Sequence, residues 1–279
     1  MDHEPTPEQL AEIRKERSGS TLPPDRTAAE RTVEAEGQRV PVRIIRPDPQ
    51  AAGEQIRGVY LNIAGGGFFV DETNKSDDGN ARLADALGIA VVSVHYRLAP
   101  EDPWPAAPDD CETAALWVIN NAQDLFQTDN IVIGGSSAGA NLAMTTMLRL
   151  RERQLLTKIA DAVLKFGAYD LSGRSPGGKL YGNEWFVHAY AGHVADRSLA
   201  DISPLFADLR ELPPALLLVG EHDVLLEDSR AMAARLSEAG CDATLRVYPD
   251  SAHGFHSFSE ASATAATTDI EAWIADRLR

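Results

Sequence analysis

Apolar residues in this chain fall into short dense runs separated by longer segments of mixed pattern. Nearly unbroken runs at 58–63, 89–94, 162–166 and 214–219, with a shorter one at 131–133, fit strands covered on both faces, as in a parallel sheet. Residues 32–36 and 40–46 read as two further strands joined at Gly37, and 244–248 as the last strand. Between them, apolar spacing and end signals predict helices over 7–17, 80–87, 108–121, 138 to about 153, 229–239 closed by Gly240, and 268–278. Strands alternating with helices predict an α/β protein with a mostly parallel central sheet and helices on both faces. Residues 171–205 break the alternation. Their periodicity is weak, glycines are frequent, and Trp185, Phe186 and Tyr190 cluster there, which reads as an insertion forming part of a lid.

Size and charge narrow the picture without naming a chemistry. A chain of 279 residues, 44% hydrophobic, supports one catalytic domain plus a lid. Its net charge of −16 repels phosphate backbones and anionic membrane surfaces, so neither nucleic acid nor a membrane is an expected partner. Cys111 and Cys241 are far apart and lack metal-ligand spacing, which suggests neither a disulfide framework nor a zinc cluster and fits a reducing cytoplasm. The first residues lack the apolar core of a signal peptide, and no apolar run is long enough to cross a bilayer, so a cytoplasmic location is expected.

Candidate chemistry concentrates where the run at 131–133 meets Gly134-Gly135-Ser136-Ser137-Ala138-Gly139. Gly135, Ser137 and Gly139 fit G-x-S-x-G, a strand-to-helix elbow with the serine at its apex, and make Ser137 the candidate nucleophile. The helix that follows offers unpaired N–H groups to a developing oxyanion, with Ala138 N–H first among them. Ala64-Gly65-Gly66-Gly67, at the end of the strand predicted over 58–63, is a second element able to turn N–H groups inward. A serine needs a base, and His253 sits in a loop directly after the last predicted strand. Asp223 follows the strand predicted over 214–219 and lies between Ser137 and His253 in sequence, giving the order Ser, Asp, His of α/β-hydrolases. Glu221, Glu227 and Asp228 are competing acids, and His222 and His256 competing bases. A metal reading of Asp250, His253 and His256 lacks a third convincing ligand. Arg97 and Glu101 are expected to pair with each other.

With these motifs in place, the chain from about residue 57 onward resembles the hormone-sensitive-lipase family of bacterial carboxylesterases. The likeness is carried by Gly65 to Gly67 with Phe68, by Tyr96-Arg97-Leu98-Ala99-Pro100-Glu101 with Pro105-Ala106-Ala107, and by the elbow continuing into Asn141-Leu142-Ala143. Ser203-Pro204-Leu205, Leu212-Pro213-Pro214, Asp223 and His253-Gly254-Phe255 complete it. The resemblance implies an α/β-hydrolase fold with a helical cap, built from N-terminal segments within residues 1–45 and a second segment at about 174–202, on a catalytic domain spanning 46–279. It also implies hydrolysis of small, short-acyl esters and an oxyanion hole formed by the Gly65, Gly66 and Ala138 N–H groups. Two positions depart from the family's pattern: Ala64 stands where a histidine is usual, and Ser136 where an aspartate is usual.

The expected activity is that of a serine esterase acting through an acyl-enzyme, with no cofactor and no metal. A small-molecule ester is the expected partner, with a homodimer as a further expectation. Phe68, Phe69, Trp185 and Phe186 are candidate pocket walls, although aromatics there fit a core equally well. Two other readings stay open at this point: a ligand-binding relative with impaired catalysis, and the same machinery acting on lactones, carbamates or amides.

Overall fold

The computed structural model describes residues 4–22, 26–52, 55–255 and 260–278. Eight strands form one sheet: β1 (Ala29–Ala35), β2 (Gln38–Ile45), β3 (Gly58–Ile63), β4 (Ile89–Val94), β5 (Ile131–Ser136), β6 (Ile159–Lys165), β7 (Ala215–Gly220) and β8 (Ala243–Tyr248). Their spatial order is β1-β2-β4-β3-β5-β6-β7-β8. From β4 to β8 every pairing is parallel, while β1 and β2 form a hairpin through Glu36 and Gly37 and meet β4 antiparallel. Both turn residues have positive φ, +50° and +81°, the conformation a tight two-residue hairpin requires. β1 and β2 are thus hydrogen-bonded into the same sheet as the strands of the 46–279 segment.

Helices α1 (Pro7–Arg17), the one-turn α2 (Pro49–Ala52), α3 (Asp77–Leu87), α4 (Ala106–Phe126), α5 (Ala138–Glu152), α6 (Trp185–Ala191), α7 (Leu226–Glu238) and α8 (Glu260–Arg277) accompany the strands, together with four short 3-10 helices among the described residues. The strand runs are apolar on both faces because both faces are covered. α4, α5 and α7 pack on one through residues such as Leu116, Leu142 and Met232, and α3 and α8 on the other through Ala84, Leu87 and Ile274. Four helices start earlier than their periodicity predicts. α3, for example, begins at Asp77, whose carboxylate is fully buried and accepts from Arg43 of β2 and from Ser20, long-range contacts that local pattern does not carry.

The chain's excursion between β3 and β5 fixes where a ligand can bind. β4 lies on one side of β3 and β5 on the other, so the connections leaving β3 and β5 separate at the carboxyl edge and open a crevice there. The glycine loop leaves β3 at that crevice and the Ser137 elbow leaves β5 beside it. The 171–205 insertion begins and ends at one place: Leu171 N–H donates to Ser203 Oγ (2.9 Å) and Leu205 N–H to the Tyr169 carbonyl (3.0 Å). Its returning end is held by Asp201, which accepts from Arg149 of α5 and from the Trp104 indole.

Candidate active site

Ser137 has φ +54° and ψ −119°, a strained conformation for a residue with a side chain, and its N–H donates to the Lys165 carbonyl at 2.9 Å. The strain persists because small neighbours let the chain reverse. A Cβ at Gly135 would stand 2.2 Å from the Gly139 carbonyl oxygen, and one at Gly139 only 2.0 Å from that of Ile63. Gly139→Ala is accordingly expected to push α5 from the glycine loop, costing about 2–3 kcal/mol of stability and, through misplacement of the nucleophile, about 100-fold in kcat. Urea unfolding and steady-state kinetics on the purified variant check both.

The three residues that sequence order brings into line meet in space. His253 Nε2 lies 3.2 Å from Ser137 Oγ, and His253 Nδ1 lies 3.0 Å from both carboxylate oxygens of Asp223. The Asp223 side chain is completely shielded from solvent, whereas that of His253 is 41% exposed, so the acid is fixed and the base reaches the crevice. Asp223 Oδ1 also accepts from Leu225 N–H at 2.8 Å, which orients the carboxylate. With the carboxylate on Nδ1, the proton belongs on Nδ1 and the Nε2 lone pair faces the serine hydroxyl. Phe166, at the end of β6, packs edge-on against the imidazole at 5.1 Å.

Facing Ser137, Gly65 is so close that a Cβ would lie 3.4 Å from Ser137 Cβ. The Gly66 carbonyl accepts from Phe69 N–H (3.1 Å) and Val70 N–H (2.9 Å), and Gly66 holds φ +112°, which glycine alone tolerates well. Among the described residues, no protein acceptor takes the N–H groups of Gly65, Gly66 or Ala138. Three amides beside Ser137 therefore keep their hydrogens for a ligand.

Several expectations need correction. Phe68 is fully buried and stacks on Tyr190 with centroids 3.9 Å apart, so it is core and not pocket wall. Phe69 is buried too, in a small cluster with Leu10 and Val70 on which Ile13, Trp185 and Phe186 rest. α1 and α6 thus close over the glycine-loop aromatics. Of the four candidate walls, Phe69 and Phe186 lie against Gly67, where a Cβ would stand 2.8 Å from the Phe69 ring and 3.6 Å from the Phe186 ring. Trp185 borders a cleft with Glu4, Pro100 and His188. Arg97 does not pair with Glu101. It holds the nearly buried Asp110 of α4, while Glu101 takes Arg14 of α1. A buried carboxylate needs the cation more than an exposed one does.

Among the competing groups, Asp228 is buried and holds the start of the 171–205 insertion. Its carboxylate accepts from the Tyr169 and Asp170 amides and from the Tyr181 hydroxyl, and burial lifts its pKa to about 6. Asn141, on the elbow helix, donates to the carbonyls of Ala168 (2.7 Å) and Ile202 (3.0 Å) and so ties the nucleophile's helix to both ends of the insertion. Asp250 lies with Glu221 and His222 on the surface, while both nitrogens of His253 are engaged in the relay. His256 lies outside the described residues.

The geometry is that of a nucleophile, its base and an anion-holding loop at the carboxyl edge of a parallel sheet, and the sequence model of the alpha/beta hydrolase fold family matches residues 60–257. The chain belongs to the α/β-hydrolase superfamily. Within that superfamily it is a member of the hormone-sensitive-lipase family of carboxylesterases. An ethyl acetate hydrolase of Pseudomonas putida is 33% identical over 234 residues, covering 79% of this chain and 72% of the relative. The structure of a hyperthermophilic esterase from Pyrobaculum calidifontis superposes on this α/β-hydrolase with a TM-score of 0.84 at 30% identity, covering 96% of this chain and 93% of that one. That of a hormone-sensitive lipase from a metagenome library does so with a TM-score of 0.82 at 28% identity, covering 98% and 94%.

Proposed function

We propose that this carboxylesterase hydrolyses small, short-acyl esters through an acyl-enzyme on Ser137. The reading is carried by one observation, the continuous Ser137–His253–Asp223 relay facing three amides without protein acceptors. Ser137 Oγ attacks the ester carbonyl carbon as its proton passes to His253 Nε2, and Asp223 holds the imidazolium that forms. The negative charge that develops on the carbonyl oxygen is taken by the Gly65, Gly66 and Ala138 N–H groups. As the tetrahedral adduct collapses, the alcohol leaves with the proton from Nε2. Water then repeats the sequence on the acyl-serine and releases the carboxylic acid.

On this reading short acyl groups are favoured because the rings of Phe69 and Phe186, the latter on α6, crowd Gly67 of the glycine loop. The name of the Pseudomonas relative, an ethyl acetate hydrolase, agrees with a small substrate. A cytoplasmic site of action is part of the same proposal: Cys111 and Cys241 are both unpaired, and no helix of the described residues is long and apolar enough to cross a membrane.

A series of p-nitrophenyl esters from acetate to dodecanoate tests the substrate class. The expected result is kcat/KM highest for the short members and falling steadily along the series. A maximum at dodecanoate would refute the short-acyl assignment.

A further inference from the structure

The carbonyls of Ala64 and Gly65 both accept from the Tyr96 hydroxyl, each at 3.0 Å. Successive carbonyls of a strand point to opposite sides, so two in a row reaching one hydroxyl mark a chain that has left the extended conformation. Across a trans peptide the N–H points away from the C=O. The Ala64 carbonyl shares its peptide with Gly65 N–H, and the Gly65 carbonyl shares its peptide with Gly66 N–H. Holding both carbonyls on one hydroxyl therefore turns both amides together to the opposite side, as successive amides converge in an anion-binding nest.

We propose that Tyr96 is a positioning residue for ester hydrolysis, whose hydroxyl aims the Gly65 and Gly66 N–H groups at the oxyanion. The inference rests on the oxyanion hole described under the proposed function. Tyr96 is well rooted for the task. It is buried, and it follows β4 by two residues, beside the strand that carries the loop. Burial pushes its phenol well above the ordinary range, so the hydroxyl keeps its proton throughout any practical assay. Ala64 brings only a methyl group to the loop, and the Gly66 carbonyl is already taken by Phe69 and Val70, which leaves the Ala64 and Gly65 carbonyls to Tyr96.

Tyr96→Phe and Tyr96→Met remove the hydroxyl and keep an apolar side chain. They are compared with wild type and with Tyr169→Phe, which removes a buried hydroxyl that has no hydrogen-bond partner among the described residues. Three quantities are read. They are kcat on p-nitrophenyl acetate per active site titrated with a phosphonate, KM, and affinity for a short alkyl boronic acid, whose boron bonds Ser137 Oγ in a tetrahedral adduct. In both Tyr96 variants kcat is expected to fall about 10- to 50-fold, less than for deletion of a donor, with KM within about threefold and boronate affinity falling in step with kcat. Tyr169→Phe is expected to leave all three as in wild type. Unchanged kcat in folded Tyr96 variants overturns the assignment. Loss of the folded state in both variants also overturns it, because the hydroxyl would then serve the fold alone. A wild-type protein with neither turnover nor boronate binding refutes instead the oxyanion-hole reading on which the inference rests.

Discussion

Replacing Ser137 with alanine is expected to lower kcat/KM for small esters by about 10⁵- to 10⁶-fold, the scale seen when a serine hydrolase loses its nucleophile. The residue beyond that loss is what the amides and the pocket supply without covalent chemistry. Ser137→Gly should be equally inactive yet more stable. At φ +54° and ψ −119° a side chain is strained, and glycine relieves about 1–3 kcal/mol of that strain while giving back about 0.5–1 kcal/mol in chain entropy. A raised melting temperature in an inactive Ser137→Gly protein would show that the elbow stores strain for the sake of the hydroxyl's aim. A lowered one would show that it does not.

The second large effect is expected at Asp223. Asp223→Asn leaves the shape of the side chain intact, but an amide cannot accept on both of the oxygens that now face His253 Nδ1 and Leu225 N–H. When its NH₂ turns to Nδ1, the imidazole must carry its proton on Nε2 and can no longer take one from Ser137. A loss of about 10⁴-fold in kcat follows, with KM little changed. Because Asp223 is fully shielded, no water can stand in for the missing acceptor. A loss below tenfold would mean that another acid orients His253, with Glu221 and Asp250 the nearest in sequence to check.

Much of this site can be read in the chain because its signals are local. A reversal tight enough to need Gly135 and Gly139 leaves its mark in the sequence, as does a strand buried on both faces, and the order Ser137, Asp223, His253 follows from which strands end where. The doubly covered strands and the elbow were legible for that reason. What was not legible depends on contacts between distant segments. Nothing near Arg97 indicates that Asp110, buried at the start of α4, outcompetes Glu101, or that Arg14 arrives from α1 to take Glu101 instead. Phe68 belongs to the core only because Tyr190, more than a hundred residues away, stacks on it. The 171–205 insertion has weak periodicity because most of it packs as loops held by Asp228, Asn141 and Arg149, and only α6 presents a helical face. Nothing in the sequence marks Tyr96 as holding the glycine loop, since a hydroxyl's grip on two carbonyls has no sequence signature.

The 171–205 insertion and the elbow are also joined through Asn141, whose amide donates to the carbonyls of Ala168 and Ile202 from the helix that Ser137 begins.

The most direct measurement is covalent labelling with a p-nitrophenyl alkylphosphonate, followed by peptide mapping by mass spectrometry and residual esterase activity on the same samples. The account predicts one adduct per chain, on the peptide containing Ser137, accumulating in step with the loss of activity. An adduct on a different residue, or full activity after Ser137 is modified, would contradict it.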